Sequence, residues 1–480
     1  MAGVTLANRL RVDASGAGVV AFALLLTAGA VAACVTVRPW VILYGLLLTL
    51  LLVPMALDLL KGRFDLFAAH NVFAAYFFLD FGLGIINDVV LGQRETVDRA
   101  EFMAMLPTAL ACANLSLLLF YLGYYLPLGP ALAARCRRLR SDWKSSRVNL
   151  VVATSMAVGI LAYLGLLEAK GGLSNFLMGQ QQLGANETGV YYLLMLSFRL
   201  PLLATMVCFL WARSTIDRRY TIAAACIAAI TFIIGGLSGA RGMPLRTLIA
   251  LLACAYYVRP AQSLSKLVKI LLASAGVIAL TMVLMVETAV RDFGYVPGLS
   301  AVDVVEQAGT KTLTVSHFES FITEFVSRFM AYEELERVLE RTGKSVTPQD
   351  GKTFLEAFWG VVPRALWPGK PAGVAAVAGD LFLDHTATAQ IFWFPTLTWP
   401  GELYWNFFLP GVVVGMILSG VFCRFVYAYL LLNPNLSGVL LYIPMLLFFQ
   451  VFVIGGLGAV IIETMMLVIP TTAAYFVLTR

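Results

Sequence analysis

The sequence predicts an all-α polytopic membrane protein with about twelve transmembrane helices. Three observations predict it. Only 13% of the 480 residues are charged, against roughly 25% in a water-soluble chain, so there is too little charge to cover a solvated surface. The apolar residues, 60% of the chain, gather in runs near the ~20 residues that cross a hydrocarbon core. The segments between the runs alternate between rich and poor in Lys and Arg, as the positive-inside bias requires.

In chain order the runs fall at 18–36, 40–60, 66–90, 104–128, 148–167, 190–211, 221–237, 243–258, 268–289, 402–428, 438–455 and 458–478. The first follows MAGVTLANRLRVD and mimics a signal peptide, but it is long enough to span and more spans follow, so it reads as a retained helix. The spans 221–237 and 243–258 are short and joined only by SGARG. With the N-terminus inside, the inner loops are KGR (61–63), RCRRLRSDWKSSR (135–147), RSTIDRRY (213–220), VRPAQSLSKLVK (258–269) and the segment from Arg424. The short outer loops carry Arg38, Arg94 with Arg99, Lys170 and Arg241. One missed or added span would break this alternation, so it supports the count and places both termini in the cytoplasm.

Three regions follow: helices 1–9 over residues 1–289, a large outer loop over 290–401, and helices 10–12 over 402–480. The net charge of +6 sits in the short loops, with no basic–aromatic pattern of a nucleic-acid binder. The seven cysteines form no CxxC and no Cys/His pair, so neither a disulfide frame nor a zinc site is indicated. The outer loop 168–189 is polar and rich in Gln and Asn. In the large loop, apolar residues recur at helical spacing over 317–342, an amphipathic helix that Gly343 stops. Its Trp-rich remainder suits packing on the bundle at the membrane surface.

Two constellations carry chemistry. The first is cationic: Arg241 in SGARG, Arg291 in VETAVRD, Arg328 on the amphipathic helix, and Arg364 and Lys370 in VPRALWPGKP. Guanidinium forks hold phosphate oxygens bidentately, and the glycine beside Arg241 lets a ligand approach the backbone. Each arginine has a plainer reading as an interface anchor or an ion-pair partner, with Arg291–Asp292 and Arg328–Glu324 available. The second is acid/base: Glu402 opens a span in TWPGELYWN, and Asp380, Asp384 and His385 lie in GDLFLDHT. A carboxylate or imidazole can take the proton of an attacking hydroxyl. Glu402 reads equally as an anion in the first turn of a helix.

His70, Asp80, Asp88 and Glu463 are intramembrane ionisable groups, costly in lipid and often functional, in an enzyme or on an ion pathway. Asp58 and Lys61, three apart, read as a pair at the cytoplasmic edge. There is no Walker loop, no GxGxxG, no HExxH and no DxD, so no machinery for ATP-driven pumping or metal-dependent sugar-nucleotide transfer is visible. No metal and no cofactor is expected; VTVRP, the first outer loop, lacks the acidic residue that metal-using membrane glycosyltransferases carry there.

The GGLSNFL loop, SGARGMPLRTLIALL, the external VPRALWPGKP and PGELYWNFFLPGVVVGMILSG, taken in that order, resemble the bacterial O-antigen and oligosaccharide repeat-unit polymerases (Wzy-type). The resemblance runs from about 168 to 420; the N-terminal third matches only in hydrophobic pattern. It implies an inner-membrane glycosyltransferase that moves a growing glycan from undecaprenyl diphosphate onto a new lipid-linked unit at the periplasmic face, without a metal. The loop arginines become diphosphate ligands and a nearby carboxylate or histidine becomes the base. Implied partners are the lipid-linked oligosaccharide and membrane lipids, with room for a chain-length regulator. An O-antigen ligase shares the topology and stays open, as does a lipid-oligosaccharide flippase or transporter, although no internal repeat is visible.

Reporter fusions near residues 140, 215 and 263 should report cytoplasm, and those near 178 and 350 periplasm. A cytoplasmic signal at 350 overturns the outer-face reading.

Overall fold

The computed structural model describes residues 39–85, 99–169, 189–237, 242–258, 331–359, 362, 366–370, 374–382, 397–454 and 456–480. Among them the secondary structure is helical, with one isolated bridge between Thr342 and Val346. Seven described helices are long and apolar enough to cross a membrane, and Ala69–Ile85, Met243–Tyr257 and Leu436–Phe449 are shorter apolar helices. The protein is therefore an all-α membrane protein. The expected spans 18–36 and 268–289 lie outside the described residues.

In chain order the helices are α1 (Pro39–Leu60), α2 (Ala69–Ile85), α3 (Arg99–Tyr125), α4 (Leu128–Arg135), α5 (Ser145–Ala169), α6 (Gly189–Ser197), α7 (Leu200–Thr215), α8 (Arg218–Leu237) and α9 (Gly242–Tyr257). From the large loop come α10 (Ala331–Arg341), α11 (Lys352–Trp359) and α12 (Val374–Phe382). The C-terminal part is α13 (Trp399–Leu432), α14 (Leu436–Ile454) and α15 (Gly456–Thr479).

The centre of the bundle is α3 against α13. A Cβ on Gly123 would lie 2.0 Å from the Ile417 carbonyl oxygen, and one on Gly420 would lie 2.0 Å from that of Phe120. The two backbones therefore meet directly, as small residues allow between helices in lipid, where apolar burial gives no drive to associate. Around this seam Phe73 of α2 stacks on Phe120 at 3.7 Å, and Phe77 and Phe81 continue the stripe to Tyr332 of α10. Asn114 donates to the Leu43 carbonyl at 2.9 Å and ties α1 to α3.

Four places among the described helices are irregular. Both α2 and α15 contain a π turn, Phe78–Gly82 and Thr464–Val468. The apolar run that begins at 190 is broken between α6 and α7, where Arg199 stands before Pro201. The fourth, α13, breaks at Phe407 and Phe408; Phe408 has φ 53° and ψ −151°, a conformation that L side chains rarely adopt. The cause is Pro410, whose ring clashes with the carbonyl four residues back and which cannot donate to it. Residues 399–406 thus form a separate, mostly buried stub.

One sequence expectation changes, and a second gains its setting. Asp58 pairs not with Lys61 but with His70, whose Nε2 lies 3.1 Å from Asp58 Oδ2 while its Nδ1 lies 3.0 Å from the Tyr124 hydroxyl. Helix α10 is amphipathic and ends at Gly343, whose φ of +82° needs glycine. It is wedged between α3 and α13, with Tyr332 and Leu335 in the main core and Glu333, Glu334 and Glu336 buried as well. Arg337 supports the acids, donating to Glu333 at 3.2 Å. Residues 317–330 of that expected helix lie outside the described residues.

Gly420→Ala should lower the thermal midpoint of the purified protein, at a cost of roughly 1–3 kcal/mol from overpacking. Gly45→Ala, whose Cβ meets nothing within 4 Å, should leave it unchanged or raise it. Equal midpoints for the two variants contradict the α3–α13 backbone contact.

Candidate functional site

The loop helices are stitched to the α13 stub because the break in α13 strips carbonyls of their partners. Asn406 donates to the Glu402 carbonyl at 2.8 Å and to the Thr353 hydroxyl at 2.6 Å, and accepts from the Gly351 N–H at 2.9 Å. The Trp405 carbonyl accepts from Gln349 N–H at 3.1 Å, and the Trp405 indole donates to Thr347 at 3.2 Å. Freed backbone groups inside a membrane protein are satisfied internally in this way. On the other side of the stub, Arg337 and Arg341 donate to the Phe382 and Leu381 carbonyls, 3.0 and 3.1 Å, and hold the C-terminal end of α12.

Glu402 sits at the centre of this knot, 1% exposed. It does not cap its own helix, since the Thr398 hydroxyl does so by accepting from Gly401 N–H at 3.2 Å. Its carboxylate reaches across to the start of α15. Oε2 accepts from the Leu457 N–H at 2.6 Å and Oε1 from the Thr353 hydroxyl at 2.8 Å. An anion there also meets the positive end of the α15 dipole. Gly456 is required beside it twice over: its φ is +59°, and a Cβ would lie 2.4 Å from Glu402 Oε2.

Glu463, six residues beyond Leu457 and about 9 Å further along the helix, lies between two arginines. Arg246 Nη1 of α9 is 2.8 Å from its Oε1, and Arg199 at the α6–α7 break contacts Oε2. All three side chains are largely buried. Among the described residues, two guanidiniums against one carboxylate leave an excess of one positive charge. The Nε atoms of both arginines are buried and have no acceptor among the described residues. A buried excess charge is expensive unless an anion completes it. Three of the irregular elements border this region: Glu463 opens the π turn of α15, Arg199 marks the α6–α7 break, and Tyr76, one turn before Asp80 of α2, is within electrostatic reach of Arg246. Single π turns inside helices cluster at functional sites.

The structure therefore treats the expected site residues unevenly. Glu402 is central, with both oxygens engaged. Lys370 donates to the Val362 carbonyl at 3.0 Å, within its own loop. Asp380 falls on α12, whose end is held against α10. Arg241, Arg291, Arg328, Arg364, Asp384 and His385 lie outside the described residues, as does Asp88. Glu463 joins the cluster as an intramembrane acid. Arg199 and Arg246 were missed, although each is a charge inside an expected span and the rule that singles out Glu463 covers them equally.

No family model, no curated protein and no solved structure matches this chain.

Glu402→Gln removes one of two acceptor oxygens and should destabilise the protein by roughly 1–3 kcal/mol, the cost of leaving a buried N–H unpaired. Thr353→Val should cost a similar amount, and the double variant less than the sum, because both act on one network. Additive losses in thermal or denaturant unfolding would show that the two side chains do not share a carboxylate contact.

Proposed function

We propose that this protein is a membrane glycosyltransferase. It polymerises oligosaccharide repeat units carried on undecaprenyl diphosphate at the periplasmic face of a bacterial inner membrane, through about twelve helices with both termini cytoplasmic. The observation that carries the proposal is the buried Arg199–Glu463–Arg246 cluster, short of one negative charge among the described residues. It stands at the bundle end where the loop helices are stitched to the α13 stub. A diphosphate supplies the missing charge and accepts from planar guanidinium forks. The apolar helices around the cluster suit a polyprenyl tail, and the loop helices suit the glycan.

In the reaction, a hydroxyl of the incoming unit attacks the anomeric carbon of the lipid-linked glycan. The new glycosidic bond forms as the bond to the diphosphate oxygen breaks, and undecaprenyl diphosphate leaves. The arginines bind the negative charge that grows on that oxygen, in a site where little water screens it. Arg241, one residue before α9 in the sequence, and Arg364 belong to the cationic set that the sequence points to. Glu402 is committed to Thr353 and Leu457, so the hydroxyl proton falls to Asp380, Asp384 or His385 of the loop.

Broken helices near polar side chains also occur at transporter sites, which keeps a lipid-oligosaccharide transporter as the second reading. Purified protein with lipid-linked repeat units separates them. A polymerase yields a glycan ladder, and it does so in EDTA. A ligase yields one addition to a lipid acceptor and a transporter yields no new bond. Arg199→Ala and Arg246→Ala, like Arg241→Ala and Arg364→Ala, should abolish the ladder while the protein still reaches the membrane. Lysine should rescue poorly, because a point charge cannot replace the fork. A wild-type ladder from both Arg199→Ala and Arg246→Ala removes the cluster from the mechanism.

A further inference from the structure

The opposite end of the bundle carries a second built cationic feature. Residues 135–147, RCRRLRSDWKSSR, hold six basic side chains and one acid. As a topology signal this segment needs only charge, not a fixed conformation. It nevertheless has one. The Leu139 N–H donates to Asn433 Oδ1 at 2.7 Å, and the Asn435 amide donates to the Leu139 carbonyl at 3.1 Å. The Arg137 carbonyl accepts from the Tyr429 hydroxyl at 2.7 Å, and Arg138 donates to the Leu432 carbonyl at the end of α13. The Trp143 ring is buried and its N–H donates to Ser437 at 2.9 Å. The segment is thus a strap pinned across the ends of α13 and α14, with the Arg140 N–H reaching the Tyr475 hydroxyl of α15 at 3.4 Å.

Pinning turns Arg135, Arg137, Arg140 and Lys144 outward. All four are exposed, and none pairs with a carboxylate among the described residues. The Tyr220 hydroxyl donates to Asn149 at 3.0 Å and brings a second basic loop, with exposed Arg218 and Arg219, alongside. Immediately before the strap, α4 exposes Leu128 and Leu132, one turn apart and so on one face. A leucine face that runs straight into fixed cations sets those cations at the depth where acyl chains meet headgroups. Fixed guanidiniums at that depth match the phosphates of anionic lipids, which attract basic residues held near the membrane surface.

We propose that the 135–147 strap is a binding surface for anionic phospholipid headgroups, gripping their phosphates through Arg137, Arg140 and Lys144. The proposal is independent of the transferase reading, because it needs only that this end of the bundle meets a membrane surface.

The test is native mass spectrometry of the full-length detergent-purified protein, offered phosphatidylglycerol or phosphatidylcholine of matched chains. Wild type should retain phosphatidylglycerol in preference. The triple substitution Arg137→Gln, Arg140→Gln and Lys144→Gln should cut that preference by at least about tenfold. Trp143→Phe keeps every charge and breaks only the bond to Ser437, so it should weaken the preference as well. It also serves as the decisive variant if the triple substitution does not fold. Equal retention of the two lipids by wild type overturns the proposal, and so does an undiminished preference in Trp143→Phe, which would mean diffuse charge and no built surface. Displacement of phosphatidylglycerol by millimolar inorganic phosphate would identify a free-anion site and overturn the lipid assignment.

Discussion

The direct backbone contact between α3 and α13 is the constraint on which the rest depends. Gly123 and Gly420 remove the side chains that would separate the two helices, so α13 is fixed in height and rotation against the centre of the bundle. Its broken N-terminal stub is then fixed too, and the stub carries Glu402. Glu402 holds the start of α15 through the Leu457 N–H. Helix α15 in turn presents Glu463 to Arg199 and Arg246. A contact made of glycines in the core thus sets the position of a charged cluster at the bundle end, through a chain of side chains each buried and each hydrogen-bonded to the next element.

The interruption of α13 is the second organising feature. An unbroken helix satisfies its own carbonyls and has no use for a loop. By breaking the helix, Pro410 leaves the Trp405 carbonyl without its in-helix donor, and the Gln349 N–H satisfies it, while Asn406 and the Trp405 indole bond to the same 347–353 segment. Loop and bundle become one body for that reason. Helix α10 also buries three glutamates, and Arg337 on the same helix donates to one of them, Glu333. The irregular turns of α2, α6–α7 and α15 face the same region, so backbone regularity is given up where polar side chains converge and kept elsewhere.

The two ends of the bundle are built differently for their charge. At the end of the loop helices, two arginines share one acid in a buried setting, which suits a compact anion held by forks. At the strap end, the cations point outward from a pinned backbone, which suits an anionic surface. Both use the same residue type; burial and the presence of Glu463 separate them.

The sequence by itself determined the class. A chain so short of charge, with apolar runs of spanning length, has no option but a helical bundle in lipid, because only helices satisfy their backbone within one segment there. It also determined where many helices start and stop, down to Gly343 as the end of α10. It pointed to Glu402 and Glu463 because an acid in an apolar run is costly wherever it ends up. Partners were beyond its reach. Asp58 meets His70 instead of Lys61, twelve residues away instead of three, because the chain turns back between α1 and α2. Glu402 does stand in the first turn of its own helix, but its carboxylate bonds to the start of α15, because Thr398 already makes the capping bond of α13. Arg199 and Arg246 lie 47 positions apart and join only through Glu463, more than 200 positions further on. Spacing along the chain has no bearing on such contacts; helix packing alone decides them.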